Sequence, residues 1–333
     1  MRAAYIEHLG TPDDIRYGDL SAPVPGPTDV LVDVIATTVN PVDTFVRSGV
    51  FRTPLSFPHV ISRDLVGTVA AVPPAETRFA VGDLVWSNSL GHGGRQGPAA
   101  EQAAVPADRL YPVPAGTDPE QLVAVVHPGG TAYLALFTHA RVLPGETVFV
   151  AGAGGNVGSA AVVMAVEAGA RVVATASAAD AGHVRSLGAA VVHDYRDPEL
   201  AEKLARTESD RIDVWLDCFG ANDLAAAVPL LAPRGRIVLL AGVAARPELP
   251  VGPFYMKDAA ILGFVISHAT TAELAAASVA INRLAAAGRL RPRAVERAPL
   301  STAADAHRRM EKRELSGRRL LLRPDLDRPT ESS

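Results

Sequence analysis

Residues 148–158 read Val-Phe-Val-Ala-Gly-Ala-Gly-Gly-Asn-Val-Gly, and the fold is decided here. An apolar β-type stretch runs straight into four closely spaced glycines, Gly152, Gly154, Gly155 and Gly158, and a stretch of small apolar residues of helical length follows. Gly152 permits a tight turn, Gly155 lets a backbone approach a pyrophosphate with no Cβ between them, and Gly158 lets the helix pack closely on the strand. The helix N-terminus, near Asn156 and Val157, offers unpaired N–H groups and partial positive charge to phosphates. Glycines alone are a weak signal; a strand before them and a helix after them make it strong.

Outward from this turn the pattern repeats. ARVVATAS (170–177), AAVVHDY (189–195), IDVWLDCFG (212–220), RIVLLAG (236–242) and AAILGFVIS (259–267) read as strands. AADAGHVRSLGA (178–189), PELAEKLARTES (198–209) and NDLAAAVPLLAPRG (222–235) read as the helices between. The strands are near-continuous apolar runs, as in a parallel sheet covered on both faces. Six of them with crossover helices make an α/β, doubly wound (Rossmann) domain over 122–267. Before it, DVLVDVIATTV (29–39), VGTVAAV (66–72) and DLVWSNS (83–89) are short strands among proline-rich turns, a β-rich, barrel-like pattern. The tail, a long helix from 271, a shorter one near 302–315 and a strand GRRLLLRP at 317–324, is too small to fold alone. It is expected to return to the first domain, giving 1–121 with 268–333.

Composition narrows the function. Of 333 residues 48% are apolar and 20% charged, and 32 basic residues face 36 acidic ones for a net charge of −4. No block of like charge stands out, which argues against nucleic acid as a partner. No apolar run reaches the eighteen or so residues that cross a bilayer. The start, MRAAYIEHLG, lacks the apolar core of a secretory signal, so a cytoplasmic protein is expected. The single cysteine, Cys218, excludes an internal disulfide and any cysteine-rich zinc site. Beside Phe219, where a dinucleotide fold meets its ligand, it is read as packing.

A site for NAD usually ends its second strand with an acid that holds the ribose 2′-hydroxyl. Here the strand end is Ala174-Thr175-Ala176-Ser177-Ala178, with no acid before Asp180. Without that repulsion a 2′-phosphate is admitted, and Ser177, Arg185 and Tyr195 are its candidate partners. NADPH is the expected coenzyme.

The chain resembles the zeta-crystallin-like NADPH:quinone oxidoreductases of the medium-chain dehydrogenase/reductase superfamily. The carrying residues are Asn40-Pro41-Val42-Asp43 with Arg47-Ser48-Gly49, Asp64 and Gly67, Val81-Gly82-Asp83, and Gly130-Thr131-Ala132-Tyr133. The glycine turn, Tyr195, Gly235-Arg236 leading to Gly242, Met256-Lys257, Ile261-Leu262-Gly263 and Gly317 continue the match. The resemblance implies a GroES-like catalytic domain beside the dinucleotide domain. It adds Phe219, Gly242, Phe264 and Ile266 to the coenzyme residues and Thr131 to the substrate residues. It also sets Asn40, Arg63 and His127 against the three zinc ligands of the metal-dependent alcohol dehydrogenases. One imidazole beside a guanidinium makes no zinc site, so no metal is expected.

Without a Lewis acid, hydride transfer favours acceptors that delocalise the incoming charge, a quinone or an activated enone. Phe45 and Phe51 stand where relatives commonly carry tyrosines, and they are read either as pocket walls or as core. His127, matched to a position near the nicotinamide, is a candidate proton donor, and His59 and His92 fall in loops expected near the substrate. Gly91–Gly97 reads as a mobile lid or an ordinary turn. The last strand of the parallel sheet is apolar and suits burial in a homodimer. Two other functions stay open: a tailoring enone or enoyl reductase of one metabolite, and a non-catalytic crystallin-like NADPH-binding protein.

Overall fold

The computed structural model describes residues 1–74, 78–209 and 211–327. The chain forms two compact units, one built from 1–127 and the segment from 274 onward, the other from 128–273. Both boundaries fall a few residues beyond the expected ones.

The first unit begins with strands β1 (Arg2–Ile6), β2 (Arg16–Asp19) and β3 (Asp29–Thr38) and helix α1 (Pro41–Ser48). Then come β4 (His59–Val60), β5 (Leu65–Ala71), β6 (Leu84–Ser87), β7 (Gln102–Pro106), β8 (Tyr111–Pro112) and α2 (Pro119–Tyr133), within which the chain passes to the second unit.

That unit holds β9 (Thr147–Ala151), α3 (Asn156–Glu167), β10 (Arg171–Ala176), α4 (Ala178–Ser186), β11 (Val191–Asp194) and α5 (Leu200–Glu208). It continues with β12 (Ile212–Asp217), α6 (Leu224–Leu230), β13 (Leu231–Leu239), α7 (Val251–Tyr255) and β14 (Ala260–Gly263). The returning tail forms α8 (Thr271–Ala286), β15 (Val295–Pro299), α9 (Ala303–Glu311) and β16 (Arg319–Arg323).

In the second unit the strands pair in parallel in the order β11-β10-β9-β12-β13-β14. The order reverses between β9 and β12, and doubly wound sheets open their ligand crevice at the carboxyl ends of such strands. Phe149 and Trp215, paired in register, stack with centroids 3.9 Å apart at the centre of the core. The expected fourth helix is shorter than read: Pro229 stands near its end, and β13 starts at Leu231. Arg234 there takes a left-handed φ of 64°, which no continuing helix would allow.

The first unit carries a seven-stranded sheet, β15-β16-β3-β5-β6-β8 with β7 also on β3, and a three-stranded sheet β2-β1-β4. One core gathers Ile6, Val39, Val60, Ile61, Leu300, Leu320 and Leu322; a second gathers Val30, Val32, Leu65, Val69, Val85 and Val105. β16 inserts beside β3, pairing Leu321 with Thr38, so the tail completes this sheet. No helix among the described residues is long and apolar enough to cross a membrane.

Candidate active site

The glycine turn is built as its sequence demands. Gly152 has φ +75°, and a Cβ on Gly158 would stand 2.3 Å from the Gly152 carbonyl oxygen. Helix α3 therefore begins hard against the end of β9, with Gly158 buried and Gly155, Asn156 and Val157 open to solvent to different degrees. The turns after β12 and β13 close on the same crevice. Asp217, buried at the end of β12, accepts from the Phe219 and Gly220 N–H groups at 2.8 Å each. Gly220 and Gly242 are in backbone contact, and Asn222 Nδ2 donates to the Ala241 carbonyl. Phe219 is left 62% exposed beside Gly152. Phe264 stacks on His139 with centroids 4.6 Å apart, and Ile266 is buried two residues further on. Thr131 is buried in α2. Desolvation pushes the Cys218 thiol up, away from reactivity.

Ser177 caps α4, its Oγ accepting from the Asp180 N–H at 3.2 Å and donating to Asp180 Oδ2 at 2.7 Å. Capping thus folds an acid back toward the strand end, where the linear sequence showed none. Arg185 is exposed in the last turn of α4, with Nη2 3.4 Å from the Val192 carbonyl. Tyr195 is half-exposed, its N–H on the Ala176 carbonyl, and the Arg196 guanidinium lies over its ring at 5.1 Å.

In the first unit a buried polar cluster forms around Asp64. Its Oδ2 accepts from Thr38 Oγ1 at 2.6 Å and Asn40 Nδ2 at 2.7 Å and lies 3.8 Å from Arg319 Nη2, while Oδ1 faces His127 Nδ1 at 3.3 Å. Arg319 also donates to Thr38 Oγ1 and to Asn40 Oδ1. Asn40 caps α1, its N–H on Asp43 Oδ2 at 2.7 Å, and Arg63 Nε reaches Asp43 Oδ1 at 3.3 Å. Two carboxylates and two guanidiniums are all at most 5% exposed. Buried charges persist only when paired and hydrogen-bonded in this way. Burial pushes the Asp64 carboxyl up, but His127, Arg319 and the Thr38 hydroxyl outweigh it and hold the group below the usual range. Burial pushes Asp43 up, and Arg63 only partly offsets it.

Asn40, Arg63 and His127 do converge in this cluster. Their donor set does not suit zinc: a guanidinium has no lone pair to give, and the imidazole turns Nδ1 to Asp64. Among the described residues no three His, Cys, Asp or Glu side chains group as metal ligands. What the cluster can do is hold a single imidazole in one orientation, Nδ1 toward Asp64.

The other two histidines leave the chemistry. His92 Nδ1 lies 2.9 Å from the Leu90 carbonyl and Nε2 accepts from Arg95 Nη2 at 3.1 Å, so it is neutral and both nitrogens are engaged. His59 is buried in β4 opposite Ile6, and desolvation pushes it down to about 4. The expected lid is a brace. Cβ atoms on Gly91 and Gly97 would fall 2.0 Å from the Ser62 and 2.1 Å from the Ile61 carbonyl oxygens, so these glycines serve close approach. Hydrogen bonds from Gly93 to Thr53, Gly94 to Pro54 and Gly97 to Val60 pin the segment beside Arg63. Phe45 is 36% exposed on α1, and the Phe51 N–H donates to its carbonyl; neither ring joins a buried core cluster.

Sequence reading missed Thr38 and Arg319, the turn-holding Asp217, and the His139 stack. Arg319 lies just past Gly317, Thr38 two residues before Asn40, and Asp217 next to Cys218, all residues already singled out.

Comparison with known proteins agrees with this architecture. Residues 26–115 match the alcohol dehydrogenase GroES-like domain, and residues 156–281 match the zinc-binding dehydrogenase domain. The chain is 30% identical to human quinone oxidoreductase over 312 residues, 92% of this chain and 93% of that protein. A solved NAD-dependent alcohol dehydrogenase matches with a TM-score of 0.86 at 31% identity, over 97% of this chain and 99% of that one. A mycobacterial protein solved in complex with NADPH matches with a TM-score of 0.82 at 27% identity, over 97% of this chain and 100% of that one.

Proposed function

Because this chain belongs to the quinone oxidoreductase family, within the medium-chain dehydrogenase/reductase superfamily, we propose that it is an NADPH-dependent reductase of quinones or electron-poor enones that works without a metal. The observation that carries this reading is the glycine turn at the head of α3, set at the carboxyl end of β9 where the strand order reverses. Gly152, Gly154, Gly155, Asn156 and Val157 take the pyrophosphate, with the α3 amino end facing it. Phe219, Gly242, Phe264 and Ile266 line the remainder of the coenzyme site. When bound, NADPH supplies the hydride.

The barrel-like unit then handles the proton. Asp64 Oδ1 stands 3.3 Å from His127 Nδ1 and orients the ring. As general acid, His127 gives a proton to the oxygen that gains charge as the acceptor is reduced, and water restores it. A quinone takes the hydride to give the hydroquinone monoanion, and one such proton completes the neutral hydroquinone. Arg63 and Arg319 keep the two aspartates ionically balanced so that Asp64 remains an acceptor toward the ring.

The test is NADPH oxidation with a panel of quinones, enones and aldehydes, beside metal analysis and calorimetric titration with NADPH. Quinone turnover that survives a chelator is expected, and His127→Asn is expected to lower kcat about a hundredfold with little change in the KM for NADPH. A chain that leaves NADPH unbound, or that needs stoichiometric zinc for turnover, overturns the reading. We further propose a cytosolic homodimer formed along β14, an edge strand of its sheet; a light-scattering mass at the monomer value would refute it.

A further inference from the structure

The first turn of α4 carries a carboxylate that the coenzyme reading does not use. Ser177 Oγ donates to Asp180 Oδ2 at 2.7 Å, and the Asp180 N–H returns to Ser177. The side chain is thereby turned back along the helix toward the carboxyl end of β10. On its other side it reaches the glycine turn: a Cβ built on Gly154 would lie 3.0 Å from both Cβ and Oδ2 of Asp180. The carboxylate therefore spans the gap between the second glycine of the turn and the end of the second strand. Dinucleotide folds of this kind put the ribose 2′-position there.

Three further observations bear on what that position accepts. Ser177 gives its one hydroxyl proton to Asp180, so in this arrangement it offers a 2′-phosphate no donor. Arg185 lies five residues beyond Asp180, at the opposite end of α4, about 7 Å along the helix axis. Arg196, over the Tyr195 ring, brings a cation to the strand end from the β11 side, since the Tyr195 N–H is anchored on Ala176. The rim thus holds an acceptor suited to a 2′-hydroxyl and a cation suited to a 2′-phosphate.

We propose that Asp180 is the coenzyme-selectivity residue of this site, accepting the 2′-hydroxyl of NADH and opposing the 2′-phosphate of NADPH, so that both coenzymes are used. The inference rests on the coenzyme reading above and deepens it. A carboxylate hydrogen-bonded to a ribose hydroxyl favours NADH, whereas the same charge beside a phosphate carrying nearly two negative charges raises the KM for NADPH. Arg196 keeps NADPH in use. Because the effect lies at the adenosine end, it belongs in binding rather than in the hydride step.

The experiment compares NADH and NADPH with one quinone in the wild type, in Asp180→Asn, which keeps the shape and loses the charge, and in Asp180→Ser, a second neutral replacement. Calorimetry with 5′-AMP and adenosine 2′,5′-bisphosphate reads the same site without turnover. Expected are wild-type kcat/KM values for the two coenzymes within about tenfold, and a NADPH/NADH ratio raised about ten- to a hundredfold in both variants. The change should lie in KM, with kcat held, and the bisphosphate should gain affinity over 5′-AMP by a similar factor. An unchanged ratio, or equal losses for both coenzymes as expected of a mere helix cap, overturns the inference. If the wild type binds neither coenzyme nor either fragment, the coenzyme reading itself is what fails.

Discussion

Replacing Asp64 with alanine will lower the stability of the barrel-like unit by about 3–5 kcal/mol, the range for breaking a buried ion pair from one side. The carboxylate is fully buried and is met by Thr38, Asn40, His127 and Arg319. Its loss leaves a guanidinium that is 3% exposed with only the weaker attraction of Asp43 to offset its burial. Desolvation of that cation, rather than the loss of any one hydrogen bond, is the dominant cost. Removing both charges should be milder than removing one, so Asp64→Asn combined with Arg319→Met should recover part of the loss. Scanning calorimetry is the measurement, read on the transition of the barrel-like unit because two units need not unfold together. If Asp64→Ala melts within a degree of the wild type, the cluster does not hold this unit together.

Acid will destabilise the same unit through two buried histidines. His307, fully buried in α9 next to Arg47, is pushed down to about 3 by desolvation and then by the neighbouring charge. His59 is pushed down to about 4 by burial. Above pH 6.5 both rings are neutral whether the chain is folded or not, and they add no pH dependence. Below 6.5 the unfolded chain takes up protons that the folded one refuses, so stability falls as pH falls. For His307 the loss amounts to about 4–5 kcal/mol by pH 3, and for His59 to about 3 kcal/mol by pH 4, at 1.36 kcal/mol per pKa unit. Urea titrations between pH 7 and 4 should show this slope, and His307→Phe should reduce it by one proton. An identical slope in that variant would mean that the folded protein protonates His307.

The parallel sheet was legible because each of its strands is a short apolar run between helices, and β9, β10 and β12 are buried almost from end to end. The glycine turn was legible for the same local reason, since strand, turn and helix are contiguous. Two local readings went astray where backbone geometry intervened. The helix read through 222–235 stops at Leu230, and of the glycines of 91–97, read as a lid or an ordinary turn, Gly91 and Gly97 stand where a carbonyl oxygen leaves no space for a Cβ, while Gly93 and Gly94 take a positive φ. The polar cluster was only half legible. Arg319 and Thr38 are hydrogen-bonded 281 residues apart, and no periodicity or spacing links them. The direction of the Asp180 carboxylate was not legible in the sequence, because the N-capping Ser177 decides where it points.

The placement of β16 between β15 and β3 also orders events on the ribosome. The dinucleotide unit is one continuous segment, complete once residue 273 has emerged. The other unit waits for β16: until Arg319–Arg323 is released, Thr37 and Thr38 have no β16 partner and Asp64 has no Arg319. A nascent chain of this protein therefore matures from the middle outward, with the strands before the dinucleotide unit held unfinished until β16 is released.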